Sequence, residues 1–157
     1  MNIKLLAIGK TDDKQLNILI NNYIKRLHFY IKFSFEIIPD IKNAKNLSET
    51  QQKEKEGKLI LNHVQNSDVL ILLDENGKQY DSVLFSEVLQ KHMNSGIKQL
   101  VFVIGGPYGF SPEMYNRANS KLSLSKMTFS HQMIRLFFIE QLYRGFTILK
   151  NEPYHHR

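Results

Sequence analysis

The sequence predicts an α/β protein: a mostly parallel sheet of about five strands, flanked by helices on both faces. Three observations predict it. Strand-like and helix-like segments alternate along the whole chain. Residues 68–73 and 99–104 are short continuous apolar runs, the pattern of strands buried on both faces. No repeat, low-complexity tract or linker interrupts the alternation, so residues 1–157 are expected to form a single domain. Periodicity specifies neither strand order nor a knot.

Residues 2–8 form the first expected strand. Asp12 or Asp13 can cap a following helix, whose apolar residues Leu16, Leu19, Ile20, Tyr23, Ile24 and Leu27 share one face. Residues 33–38 read as a second strand, closed by Pro39, and residues 41–47 as a loop carrying Lys42 and Lys45. Ser48 and Gln51 have the capping-box spacing, and a charged helix is expected to run to about Val64. After the strand at 68–73, Glu75-Asn76-Gly77-Lys78 reads as a turn. A helix over residues 82–94 ends at Gly96, and residues 99–104 form the fourth strand. Ser111-Pro112-Glu113 starts a short helix that ends near Asn119: a cap, proline at the first helical position, then an acid beside the positive helix end. Residues 121–125 read as the fifth strand and residues 131–150 as a long final helix. Gly145 inside that helix costs roughly 1 kcal/mol against alanine, which predicts close packing there. The tail from Glu152 is not helical.

Composition narrows the chemistry. The chain has no cysteine, which excludes disulfides, thiolate nucleophiles and cysteine-bound metals, and fits a reducing cytoplasm. The opening apolar run is too short for a signal segment, and no run approaches a membrane span. Net charge is +6, and residues 121–157 carry six Lys/Arg against Glu140 and Glu152. That asymmetry suits an anionic partner such as nucleic acid, or simply a solvated surface.

Two segments can carry a site. Residues 100–104 run into Gly105-Gly106-Pro107-Tyr108-Gly109 and then into the capped helix. Buried strand, glycine loop and helix is where α/β proteins bind ligands, although the same order also makes a plain turn. It is neither G-x-G-x-x-G nor a Walker A loop, which argues against a dinucleotide oxidoreductase or a P-loop enzyme. The second segment runs from Leu122 to His131, with alternating serines and the loop apolar residues Met127 and Phe129; core anchoring is its plainer reading. His28, His63 and His92 lack partner spacing, and His155-His156 has no carboxylate at ligand spacing, so no metal is expected.

Taken together, FVIGGPYGFS, LSLSKMTFSHQMIR, IEQLYRGF and a terminal PYHH resemble the SPOUT-class RNA methyltransferases. The specific likeness is to the family that methylates N3 of a pseudouridine in 23S ribosomal RNA. IKLLAIGK, KEKEGKLIL and ILLDENGK also fit, so the resemblance spans essentially the whole chain. Tyr108 stands at a variable position of the family's glycine loop, and Ser130 stands where proline is common.

The resemblance implies a C-terminal deep trefoil knot and S-adenosylmethionine held on the knot loops without metal. The cofactor positions carry over to Leu73, Gly105, Leu124, Ser125, Lys126, Met127, Thr128 and Phe129. Tyr154 and His155 in the tail become the candidates at the methyl-transfer site. His131, opening the last helix, is a candidate for contact with the pocket or RNA. Arg135 and Arg144 are candidates for RNA phosphate contact or the subunit interface, and Glu140 is placed for that interface or for an intrahelical pair with Arg144. The resemblance further implies a cytoplasmic homodimer acting on 23S rRNA in the assembled ribosome. The alternatives are a knotted methyltransferase of another RNA such as tRNA, or a non-catalytic ribosome-binding module. The last helix supports a dimer independently, because Met133, Ile134, Leu136, Phe137, Phe138, Ile139, Leu142, Tyr143 and Phe146 form too broad an apolar stripe for a simple surface helix.

Overall fold

The computed structural model describes residues 1–156. Arg157, the guanidinium of the tail, lies outside them. Five strands form one fully parallel sheet in the order β2-β1-β4-β3-β5. They are β1 (Asn2–Ile8), β2 (Lys32–Ile38), β3 (Val69–Gln79), β4 (Gln99–Ile104) and β5 (Ser120–Ser123). The helices are α1 (Lys14–Leu27), α2 (Glu49–Leu61), α3 (Ser82–Asn94), α4 (Pro112–Arg117) and α5 (Met133–Leu149). Among the described residues no helix is long and apolar enough to cross a membrane.

Strand alternation sorts the core into two layers. Ile3, Leu5, Ala7, Ile71, Phe102 and Ile104 face one way and pack with Leu16, Leu89, Phe138 and Leu142 from α1, α3 and α5. Leu6, Ile8, Leu72, Val101 and Val103 face the other way, under Ile60 of α2 and Met114 of α4. Helices therefore cover both faces, as parallel strands without a polar side require.

The caps set most helix ends. Asp13 accepts from Leu16 N, Asp81 from Leu84 N and Ser111 from Met114 N. Both halves of the Ser48–Gln51 capping box form. α2 stops at Leu61, three residues short of expectation, because the next backbone N–H groups close tighter turns onto Ile60 O and Leu61 O. α4 stops at Arg117 because Asn119 joins the sheet: its N–H donates to Leu70 O, and its side chain accepts from Leu70 N, both at 2.8 Å. A short 3-10 turn, Ala44–Asn46, lies in the expected loop. Leu19, expected in the core, is exposed, since the buried stripe of α1 is narrowed to Leu16, Ile20 and Leu27.

The larger correction is at residues 75–78. They do not end the strand; β3 passes through them as a bulge, with Leu73 and Lys78 both opposite Leu122 of β5. The turn chemistry is present, as Asp74 Oδ1 accepts from Asn76 N at 2.8 Å, but Gln79 then resumes pairing with Ser123. Gly77 permits this approach: an added Cβ would come 2.7 Å from Leu122 N. At the chain's end, α5 begins at Met133 rather than His131. Ser130 closes the preceding turn, accepting from Met133 N through its hydroxyl at 3.1 Å and from Ile134 N through its carbonyl at 3.0 Å. Gly145 lets α5 lie close to α3, with room for an added Cβ only 2.9 Å from Leu89 Cδ1.

Candidate active site

Three strand ends build the site. The carboxyl ends of β3, β4 and β5 lie side by side, and the segments leaving them enclose a cavity of about 550 Å³. Open α/β sheets place ligands at this edge. From β4 come Gly105, Pro107 and Tyr108; from the loop after β5 come Leu124, Ser125, Met127, Thr128 and Phe129; from β3 comes Leu73. Gly109 has φ +80°, a conformation that favours glycine. An added Cβ at Gly105 would meet not the cavity but the ring of Phe110, at 3.1 Å, and Phe110 is itself a wall.

Seven of the eight residues expected at a cofactor thus line one cavity, although its three contributing segments are separated in sequence. Lys126 does not; it faces an adjoining recess with Glu75, Asn76, Gly77 and Gln79. His131 stands at the rim, exposed on one side. The protein atoms packed on its other side, and then the charge of Arg135, lower its pKa, while the Gly105 backbone opposes them.

Sequence reasoning missed the acidic wall. Asp74 and Glu75 border the cavity because β3 continues past Leu73. Tyr115 of α4 donates its hydroxyl to Asp74 Oδ2, and its phenol is pushed up to about 12, by burial first and then by that bond. The signal available was the acidic pair directly after an apolar strand, which the turn reading absorbed.

Arg135 requires a correction. Its side chain is the largest among those fully withdrawn from solvent, and its donors point inward. Nε bonds His131 O at 2.9 Å, NH1 bonds Thr11 Oγ1 at 3.0 Å and NH2 bonds Ile8 O at 2.9 Å. It ties the start of α5 to the end of β1 and is not presented to a phosphate.

The tail is folded against α1 and α5. Tyr154 donates to Glu140 Oε1 at 2.9 Å, stands 3.3 Å from the Tyr23 hydroxyl and lies under the Arg144 guanidinium, 4.7 Å from its ring centroid. Arg144 Nε bonds Glu140 Oε1 at 3.1 Å, so the intrahelical pair forms, and NH1 reaches His155 Nδ1 at 3.3 Å. Burial first, then Tyr23 and Glu140, raises the Tyr154 phenol well above its usual range. Tyr154, His155 and Arg144 form one cluster, and none of them lines the cavity of its own chain.

The family model described as "Predicted SPOUT methyltransferase" matches residues 1–155. The chain belongs to the SPOUT methyltransferase family. Proteins called ribosomal RNA large subunit methyltransferase H, from Flavobacterium psychrophilum and Flavobacterium johnsoniae, are each 74% identical to it over 157 residues, covering 100% of both chains. The protein of that name from Bacteroides thetaiotaomicron is 54% identical over 156 residues, covering 99% of each. A SPOUT methyltransferase uses a methyl donor.

Proposed function

We propose that this chain is an S-adenosylmethionine-dependent methyltransferase that modifies N3 of a pseudouridine in 23S rRNA of the assembled ribosome, working as a cytoplasmic homodimer. The observation that carries the reading is the single cavity formed by the glycine loop and the 124–129 loop, in a chain that matches ribosomal RNA large subunit methyltransferases over its full length.

The cavity's chemistry suits that donor. Leu124, Phe129 and Ile134 offer apolar cover for an adenine, and the backbone of the glycine loop and of residues 125–128 offers donors and acceptors for its edge. Asp74 and Glu75 offer negative charge to an ammonium and a sulfonium. When bound, S-adenosylmethionine supplies an electrophilic methyl group. The chain's residues then have to orient the acceptor imide in line and accept the developing negative charge on its nitrogen.

Tyr154 and His155 are our candidates for that second task, His155 as a proton acceptor or as a stabiliser of the anion. Their own chain holds them away from its cavity, so the reading assigns them to the site of the partner subunit in a twofold dimer. His131 and Arg144 remain the candidate RNA contacts. The family also implies that the C-terminal segment is threaded as a deep trefoil knot, which would hold the two loops of the cavity in fixed contact.

Ribosomes purified from a strain lacking the enzyme, incubated with the protein and S-adenosylmethionine, test the reading. The expected result is one methyl group on a 23S pseudouridine, mapped by mass spectrometry, with tRNA left unmodified. Methylation of tRNA instead would move the substrate, and ribosome binding without methyl transfer would make the chain a binding module.

A further inference from the structure

Two consecutive residues of α2 pack against the glycine loop and the helix that follows it. Gly57 brings the helix against the cap of α4, where an added Cβ would stand 2.7 Å from Ser111 Oγ and 3.1 Å from Met114 Cγ. Glu56 lies beneath the loop itself. It is 3% exposed, and an added Cβ at Gly106 would overlap both of its carboxyl oxygens. Gly106 therefore lacks a side chain not to admit a ligand but to seat a carboxyl from the opposite side.

That carboxyl is a poor choice for stability alone. Its Oε2 accepts only a long bond from Gln52 Nε2, at 3.4 Å, and its Oε1 has no hydrogen-bonding partner. The charged neighbour acting on it is Asp40, a like charge that follows β2. Burial above all, and then Asp40, raises its pKa, so it keeps its proton further up the pH scale than a surface glutamate. An apolar side chain of the same volume would meet the packing need without this cost.

We propose that Glu56 is a positioning residue for methyl transfer: its buried carboxyl is the seat that sets the backbone of residues 105–109 along the donor cavity. The inference rests on the reading of that cavity as the S-adenosylmethionine site. The seat works by its planar shape against Gly106, so an amide of the same shape should serve. The residue acts through the loop and touches no reacting atom, so its loss should appear in donor affinity and not in the chemical step.

The test uses the full chain as wild type, Glu56→Gln, Glu56→Ala, Gly106→Ala and the double variant Glu56→Ala/Gly106→Ala. Calorimetry with S-adenosylmethionine, steady-state kinetics on ribosomes and Tm of the donor-free protein are read for each. Glu56→Gln should keep the wild-type Kd within about twofold, and Glu56→Ala should raise Kd and the donor KM about tenfold with kcat nearly unchanged. Gly106→Ala should lower Tm, and Glu56→Ala should relieve that loss by vacating the volume the new methyl needs, a coupling visible without donor. The inference is overturned if Glu56→Ala lowers Tm while Kd stays at the wild-type value, or if the two single Tm losses simply add. Absence of binding by the wild type would overturn the cavity reading and this inference with it, whereas normal wild-type binding beside an unaffected Glu56→Ala would overturn this inference alone.

Discussion

Arg135 and Glu56 are both charged in free solution and both buried here, with opposite consequences. Arg135 donates to three acceptors on two segments far apart in sequence, and the carboxylates of Asp12 and Asp40 act on its charge. Replacing it by methionine strips the partner from the buried Ile8 carbonyl, and we expect a loss of roughly 2–4 kcal/mol in urea unfolding. Arg135→Lys should recover little, because an ammonium on a flexible stem cannot reproduce the fork. Neither variant should change the salt slope of RNA binding, since an inward guanidinium neutralises no phosphate; a reduced slope would restore the phosphate role. Glu56 shows the other sign. Its folded pKa is raised, so its contribution to stability is full below the unfolded carboxylate value and is lost as pH rises through the folded value. Stability of the wild type, measured relative to Glu56→Gln across the acidic to neutral range, should therefore fall with rising pH and then level off. A difference that is flat with pH, or that grows, would contradict the raised pKa.

At the scale of elements, the cavity depends on where two loops point their residues. Residues 124, 125, 127, 128 and 129 face it and residue 126 does not, so Lys126→Ala should leave donor affinity within about twofold in calorimetry. Gly105→Val should weaken it by an order of magnitude or more, because the branched side chain drives Phe110, a wall residue, out of place. The reverse ranking would mean that the Lys126 ammonium, and not the loop backbone, holds the donor. The bulge in β3 belongs to this scale as well. It carries Asp74 and Glu75 past the last core residue, Leu73, to the cavity wall while Lys78 and Gln79 return to the sheet.

For the whole molecule, the distribution of apolar residues on α5 argues for a partner. Phe138, Ile139, Leu142 and Phe146 are buried, while Met133 and Phe137 on the outer side are 40% and 38% exposed. Phe137 continues outward into Phe129, its ring centroid 5.1 Å away, and Met127 beyond is 76% exposed. An apolar surface that runs from a long helix to the lip of the cavity is what a self-complementary interface would cover. Sedimentation should give a dimer mass, and Phe137→Glu should give a monomer that keeps its fold but loses methylation; a wild-type monomer at all concentrations would contradict the dimer. Removing residues 153–157 should leave folding and dimerisation intact and abolish most rRNA methylation. A mixed dimer of one truncated chain and one Gly105→Val chain should then regain part of the activity, because the truncated chain supplies an intact cavity and its partner supplies the tail. Full activity of the truncated protein alone would remove Tyr154 and His155 from the site.

Local chemistry made much of this molecule legible in advance. Caps, proline at a first helical position and the two hydrophobic periods act over a few residues, so α3 and β4 fall where the sequence alone puts them. The two cavity loops were legible for the same reason, as glycines and loop apolar residues directly after buried strands, and family likeness then joined them. Tertiary structure decided whatever depended on a partner distant in sequence. An apolar pattern says that a strand is buried but not beside which neighbour, so the order β2-β1-β4-β3-β5 could not be read. A turn signal at residues 75–78 does not reveal that β5 will take the chain back into the sheet. Nor does an arginine or a glutamate announce that it will be buried, because only the assembled fold brings Ile8 and Thr11 to Arg135, and Gly106 to Glu56. A polar group's role is set by which groups desolvate and pair with it, and Ile8 and Thr11 at Arg135, like Gly106 at Glu56, are distant in sequence from the residue they meet.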